Sequence, residues 1–378
     1  MRVTTLSLRH YRNYEAADVK FGPGCTLILG SNGQGKTNLV ESLVFLSSQS
    51  SHRSSSQQLL IQREQEQAVV RTEVLTGDRT VTLELELNRT KANRAQLNSN
   101  AAKLKDFPAQ LSVVLFSPEQ LSLIQGEPSG RREYIEDLIA HLSPRMAGVF
   151  SDFDRVLKQR NTLLKSLAAR GLKNIDWSTL EVWDEKFVSL ATQIAQARER
   201  LVEYLSAPLA KNYELLAAAD HSVRVAMEYE VLELATGGAT GAVFDASEYE
   251  RSIRQWLVDN RSRECDRGVT LIGPHRDDFF IGLHGLPAKG CASHGETWSL
   301  LIALNLAAAQ VVRDQSSCGD PILVLDDVFS ALDENRRERL AAEIAAYEQA
   351  IVTGAVQTDI PEGLHARIMR VSAGTVES

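Results

Sequence analysis

The run Gly30-Ser31-Asn32-Gly33-Gln34-Gly35-Lys36-Thr37 matches the phosphate-binding loop pattern G-x-x-x-x-G-K-[ST] at every fixed position, with Asn38 following. Its glycines let backbone N–H groups curl around phosphate oxygens, and a helix starting there points its positive end at the anion. Lys36 would neutralise β/γ-phosphate charge, and Thr37 would offer its hydroxyl to Mg²⁺. Far downstream, the apolar run Pro321 to Leu325 ends in Asp326-Asp327. An acid at the carboxyl end of a buried strand, beside the strand that carries the loop, can hold Mg²⁺, and a second acid can orient the attacking water. Asp326 is therefore assigned to the metal with Thr37. Asp327 joins Lys36 as a catalytic residue. The pair sits too early to cap the helix expected near Asp333.

Flanking patterns supply the elements. Cys25 to Leu29 reads as a buried strand, and Leu39, Val40, Leu43 and Val44 repeat like one helix face. Ala292-Ser293-His294-Gly295-Glu296 precedes a periodic helix from Ser299 to Val312, and Ser330-Ala331-Leu332-Asp333 follows the Asp pair. Alone, Ser-His-Gly-Glu reads as an N-cap with its capping box. Placed between the two halves of a nucleotide site, it resembles an ABC-type signature, and the later string resembles a D-loop. In ABC-type ATPases the signature serine and glycine bind the γ-phosphate held by the other protomer, so Ser293 and Gly295 would complete the ATP site in trans.

Further strings make the resemblance specific. Leu8-Arg9-His10-Tyr11-Arg12-Asn13-Tyr14, Phe116-Ser117-Pro118-Glu119, Arg131-Arg132-Glu133-Tyr134, Leu157-Lys158-Gln159-Arg160-Asn161, Gly273-Pro274-His275-Arg276-Asp277-Asp278 and Leu325 to Ser330 look like the bacterial RecF family, end to end. The resemblance implies an α/β fold: an ABC-type, SMC-like P-loop ATPase head with an inserted, mostly helical second lobe. It also implies ATP and Mg²⁺ as cofactors, an ATP-dependent homodimer, and binding to single-stranded and duplex or gapped DNA. Partnership with RecR and RecO in loading RecA, and support of the SOS response, are implied in the same way. Three departures from the general ABC pattern bear on chemistry. His294 and Glu296 replace the commoner Gly and Gln. Asp327 is one methylene shorter than the usual Glu, which implies slow turnover. No switch histidine follows the strand Ala350 to Val352, so Thr353 or Gln357 would sense the γ-phosphate. Gln120 is the candidate for the Q-loop.

At 378 residues with 43% hydrophobic content, the chain can bury the cores of two lobes. Thr37 and Ser293 lie 256 residues apart. That spacing, with a change from alternating to helical period near Arg131, places lobe I at residues 1–115 plus 305–378 and lobe II at 116–304. Helices are expected at Arg131–His141, Pro144–Ala169 and Ser178–Leu205, with Pro208 ending or kinking the last. A strand follows at Val223 to Met227, a flexible loop at Thr236 to Gly241, and a helix from Ser247. No heptads persist, so a long coiled coil and a chromosome-organising role are disfavoured. No apolar run is expected to reach the ~20 residues of a membrane span, and the 256-residue spacing argues for an inserted lobe rather than a transporter nucleotide-binding domain with a modest helical insert. The alternating start is unlike a signal peptide, which places the chain in the cytoplasm. Cys25, Cys265, Cys291 and Cys318 lack metal spacing and are expected as reduced thiols. The serine-rich run from Ser47 to Ser56 is expected as a mobile loop near the nucleotide.

A net charge of −8 excludes a protein that coats DNA with its whole surface. A local patch remains. Residues 155–175 contain no acid, and helical phase puts Arg155, Lys158 and Lys165 on one outward side. Arg160 falls instead among Val156, Leu157, Leu163, Leu164 and Leu167, where it requires a carboxylate partner. A second acid-free cluster is Arg89, Lys91, Arg94, Lys103 and Lys105, read as a hairpin loop. His275 is read within a structural salt-bridge turn around Arg276 rather than as a metal ligand. If Lys36 serves binding and Asp327 serves the chemical step, Lys36→Ala will lose tight ATP binding while Asp327→Asn keeps it and loses turnover by about 100-fold. Nucleotide titration showing both equally defective in binding contradicts that division.

Overall fold

The computed structural model describes the chain apart from residues 52, 55, 171–175, 219–220, 237–243, 317–318, 362 and 378. Along the chain, strands β1 (Arg2–Tyr11), β2 (Tyr14–Lys20) and β3 (Gly24–Leu29) precede helix α1 (Lys36–Ser48). Strands β4 (Gln67–Thr76), β5 (Arg79–Asn88), β6 (Arg94–Leu97), β7 (Asn100–Ala102) and β8 (Val113–Phe116) lead to helices α2 (Leu121–Gln125), α3 (Pro128–Leu142), α4 (Pro144–Arg170) and α5 (Ser178–Ala217). Then come β9 (Arg224–Glu228), α6 (Glu230–Thr236), α7 (Ala246–Asp259), α8 (Arg261–Arg267), β10 (Asp278–Leu283) and β11 (Leu286–Pro287). The chain closes with α9 (His294–Gln315), β12 (Ile322–Asp326), α10 (Glu334–Ile344), β13 (Gln349–Gly354), β14 (Ala366–Ser372) and β15 (Thr375–Glu377).

Two compact units result, one of residues 1–125, 207–223 and 288–378, the other of residues 126–206 and 224–287. These bounds differ from 115/116 and 304/305 because α9 packs on α2 and β8 and so belongs wholly with the nucleotide-loop unit. In that unit an antiparallel sheet of order β2-β1-β4-β5-β6-β7 and a mainly parallel sheet of order β15-β14-β3-β13-β12-β8 share one core. In β5 alternation buries Val81, Leu83, Leu85 and Leu87, as half-buried strands require. Central β12 is apolar up to its terminal Asp326 and buried along its whole length, because it is covered on both faces. One expectation needs correction: β12 does not lie beside β3, since β13 pairs with both and separates them.

The second unit sets α3 against β10 and α4, and α4 against α8, beside the small sheet β11-β10-β9. Arg160 is 0% exposed, its Nε 2.8 Å from Asp184 Oδ1, its Nη2 2.5 Å from Glu264 Oε2 and its Nη1 2.8 Å from Thr270 Oγ1. The apolar phase of α4 thus carries the paired cation that its sequence demanded. Arg131 makes a bidentate pair with Asp278 at 2.9 and 2.6 Å, Arg132 donates to the Asp277 carbonyl, and Arg198 donates to Glu136 and to the Pro274 carbonyl. The salt bridges of the turn 273–278 are therefore made by its two aspartates with α3 and α5. Among the described residues Arg276 pairs with Glu230, at 3.5 Å on the surface.

Pro208 does not end α5, which continues to Ala217. Leu205, Leu209, Tyr213 and Leu216 are buried around it, and that packing carries the helix past the missing N–H donor. Residues 237–243, the core of the expected glycine loop, lie outside the described residues. Helix α9 corrects the expectation about membrane length. It is long and apolar enough to span a bilayer, yet 83% of its most apolar window is buried inside the protein, which makes it a core helix. Cys25, Cys265 and Cys291 are free thiols.

Burial holds the carboxyls of Asp184 and Glu264 above their ordinary range despite Arg160. The native state thus binds these protons more tightly than the unfolded chain, and their contribution to stability falls as pH rises through the folded values. Arg160→Met leaves two buried carboxylates uncompensated and should cost about 3–5 kcal/mol at neutral pH. Because protonation relieves that penalty, the deficit in thermal unfolding should shrink at pH 5. Equal deficits at pH 5 and pH 8 would show that the guanidinium contributes by packing alone.

Candidate nucleotide site

The loop between β3 and α1 is built as the pattern requires. Gly35 has φ 119°, and a Cβ there would lie 2.7 Å from Asn13 Nδ2 and 2.9 Å from Tyr14 Oη, so conformation and space both demand glycine. A Cβ on Gly30 would lie 2.3 Å from the Val371 carbonyl oxygen. The loop is propped from outside. Tyr14 Oη donates to the Gly35 carbonyl at 3.0 Å and Asn13 Nδ2 to the Gln34 carbonyl at 3.0 Å, while Asn38 Nδ2 donates to Asn13 Oδ1 at 2.7 Å. From the other end of the chain, Ala373 N donates to Gln34 Oε1 at 2.6 Å. The motif RHYRNY therefore shapes the loop: its Arg12 pairs bidentately with the buried Glu41 of α1 at 2.9 and 2.7 Å. Sequence reading noted the string and missed this role, which only the turn between β1 and β2 makes visible.

A pocket of about 430 Å³ is lined by Asn32, Gly33, Gly35, Lys36, Thr37, Asn38, Arg53, Asp326, Asp327 and Thr353. Lys36 Nζ donates to the Gly30 and Ser31 carbonyls at 2.5 and 3.1 Å. Burial lowers its pKa, and the charges of Asp327 and Asp326 oppose that shift. Asp326, 3% exposed, accepts at Oδ1 from Thr37 Oγ1 at 3.2 Å and from Thr353 Oγ1 at 2.6 Å. Thr353 Oγ1 in turn accepts from Asp327 N at 3.0 Å. Asp327 has φ 55°, a left-handed conformation that costs a non-glycine residue energy and aims the second carboxylate into the pocket lining. Thr37 and Asp326 offer a hard, oxygen-only donor set, which suits Mg²⁺.

Of the two candidates for γ-phosphate sensing, the structure brings Thr353 to the Asp pair and leaves Gln357 exposed. Gln120 is not in the pocket lining: its Oε1 accepts from Asn305 Nδ2 at 3.0 Å and from Ser117 N at 3.2 Å. Arg53, from the serine-rich run, was missed. It lines the pocket and donates to Asn38 Oδ1 at 2.9 Å. That run begins inside α1, at Ser47 and Ser48, and residues 52 and 55 lie outside the described residues.

Ser293 is the exposed N-cap of α9, its Oγ accepting from Glu296 N at 3.3 Å while Glu296 Oε2 accepts from Ser293 N at 2.8 Å. Neither Ser293 nor Gly295 lines the pocket of its own chain. Arg155, Lys158 and Lys165 are exposed on α4, with Arg155 3.0 Å from Asp152. Arg89 is withdrawn from the second basic cluster, its guanidinium donating to the Ile61, Gln62 and Gln65 carbonyls. The side chain of Lys105 lies outside the described residues.

A parallel sheet carrying a phosphate loop, a strand-end Asp pair and a capped signature helix defines an ATPase head of the ABC and SMC type. The family model of the RecF/RecN/SMC N terminal domain matches residues 2–374. The DNA replication and repair protein RecF of Clavibacter sepedonicus is 47% identical over 386 residues, covering 100% of this chain and 95% of its own. That of Streptomyces avermitilis is 44% identical over 381 residues, covering all of both. The solved structure of the recombination mediator protein RecF-ATP in the RecFOR pathway covers 99% of this chain and 96% of its own, with TM-score 0.89 at 24% identity. An SMC head bound to the C-winged helix domain of ScpA covers 100% and 96%, with TM-score 0.55 at 16% identity. The chain belongs to the RecF family.

The Thr353 hydroxyl sits between the two acids. Thr353→Val should lower kcat by about 10- to 100-fold with little change in ATP affinity, and Thr353→Ser should recover most of it. A loss of ATP affinity with unchanged kcat would assign Thr353 to ground-state binding.

Proposed function

We propose that this protein is an ATP-dependent DNA-binding protein of recombinational repair and replication restart, in which ATP closes two copies head to tail and hydrolysis releases them. The observation that carries the reading is the division of the site: the pocket of one chain holds Lys36, Thr37, Asp326, Asp327 and Thr353, while Ser293 and Gly295 stand outside it on an exposed helix start. A second copy can supply them. The loop N–H groups and Lys36 bind the phosphates, and Gly30, Ser31, Asn32, Gly33, Gln34, Gly35 and Asn38 complete the cradle. Mg²⁺, when bound by Thr37 and Asp326, neutralises phosphate charge and fixes the substrate's orientation. Asp327 orients water and accepts its proton, and its short side chain makes turnover slow. DNA is to stimulate that turnover.

The RecFOR pathway named for the solved relative supports work with RecR and RecO, and in this reading the closed dimer helps them load RecA at gaps and supports the SOS response, in the cytoplasm, where chromosomal DNA lies. Single-stranded, duplex and gapped DNA would be gripped through backbone phosphates. Arg155, Lys158 and Lys165 of α4 provide that contact. The pair between Arg155 and Asp152 is exposed and worth little, so it leaves the guanidinium free to meet phosphate.

Reversing Arg155, Lys158 and Lys165 to Glu in an Asp327→Asn chain held in Mg-ATP should weaken binding to gapped DNA. The slope of log affinity against log salt should fall by about 2 to 3. Circular dichroism checks the fold. An unchanged slope with intact helicity would assign the stripe to solvent, and equal DNA affinity with and without ATP would contradict the ATP-gated grip.

A further inference from the structure

The start of α9 lies against Arg336 of α10. A methyl group placed on Gly295 would lie 3.1 Å from Arg336 Nη1 and 3.6 Å from Nη2, so the guanidinium of α10 covers the bare face of that glycine. Arg336 is fixed from the N-cap of its own helix. Asp333 Oδ2 lies 3.2 Å from its Nη1, and Asp333 Oδ1 accepts from its backbone N at 3.0 Å. On another side stands Tyr213, whose pKa is pushed up to about 12 by burial, raised further by Glu296 and lowered by Arg336. The charges of Glu296 and Arg336 thus act on the same phenol in opposite directions. His221 Nδ1 is 2.9 Å from Tyr213 Oη and 3.6 Å from Glu296 Oε1.

A cation set against the positive end of a 22-residue helix is unfavourable in itself. Asp333 and Glu296 offset part of that repulsion, and an arriving phosphate would offset the rest. We propose that Arg336 is the positioning residue of the signature motif, tying Asp333 of the loop after β12 to Gly295 so that Ser293 and Gly295 meet the γ-phosphate of a partner copy. This rests on the shared-site reading above. The span involved is short: seven residues, Asp327 to Asp333, separate the end of β12 from α10, so the acids that act on one nucleotide and the signature that acts on the other are mechanically joined. A side chain at residue 295 would push the guanidinium of Arg336 back by a few tenths of an ångström.

The test sorts variants by which partner restores them. Lys36→Ala disables a chain's own pocket and Ser293→Arg disables what it lends to its partner, so their mixture should regain ATPase activity through one intact shared site. Arg336→Ala should lower kcat by about tenfold or more while ATP affinity of the isolated chain changes less than about twofold. Mixed with Lys36→Ala it should regain activity, and mixed with Ser293→Arg it should not. Arg336→Lys, which keeps the charge, should be partly active and fall in the same group. It replaces the alanine variant if melting shows that one unfolded. Regain with Ser293→Arg, or with neither partner, overturns the proposal. Failure of the Lys36→Ala and Ser293→Arg mixture instead overturns the shared-site reading, and the proposal with it.

Discussion

The carboxylate of Asp326 is the point on which the nucleotide site closes. It is 3% exposed at the end of a strand buried on both faces, and at Oδ1 it accepts hydroxyls from Thr37, 3.2 Å away, and Thr353, 2.6 Å away. A buried carboxylate without such partners carries a desolvation penalty of several kcal/mol. Those two hydroxyls come from elements far apart in sequence, so satisfying one charge brings the phosphate loop, β12 and β13 to a common edge. Thr353 then extends the arrangement to Asp327 by accepting its N–H. The phosphate loop and both acids are thereby linked through the hydroxyl oxygens of two threonines.

The parts of this site that were legible in the sequence are those with a local cause. The loop, the helix after it, the acid pair and the capping box of Ser293 each follow from a few adjacent residues whose geometry allows little else. Arg160 was legible too, because a cation in the apolar phase of a helix cannot stay unpaired, though which carboxylates would meet it was not. What sequence did not disclose depends on long-range register. The order β3-β13-β12 puts Thr353 between the loop and the acids, and no local pattern sets strand order. Asn13 and Tyr14 hold the loop across 21 residues of chain, and only the fold shows them doing so. Of the two outcomes expected at Pro208, an end or a kink, the end does not occur, because the buried faces on either side outweigh the local cost of the lost donor.

The strings that distinguish the RecF family serve two ends. RHYRNY supports the phosphate loop. In the second unit RREY meets GPHRDD through Arg131 with Asp278 and Arg132 with the Asp277 carbonyl, Arg198 of α5 adds the Pro274 carbonyl, and Arg160 of LKQRN pairs separately with Asp184 and Glu264. Such networks specify one arrangement of helices because any slip leaves a charge unpaired.

The central claim is that one carboxylate joins three elements into a single ATP-responsive site. Amide hydrogen exchange with and without Mg-ATP, in Asp327→Asn chains that hold nucleotide, tests it most directly. The account predicts added protection at the loop of residues 30–38 and equally at 322–327 and 349–354, with Asp326→Asn abolishing the protection of 349–354. Protection confined to residues 30–38, with the other two segments unmoved, would contradict it.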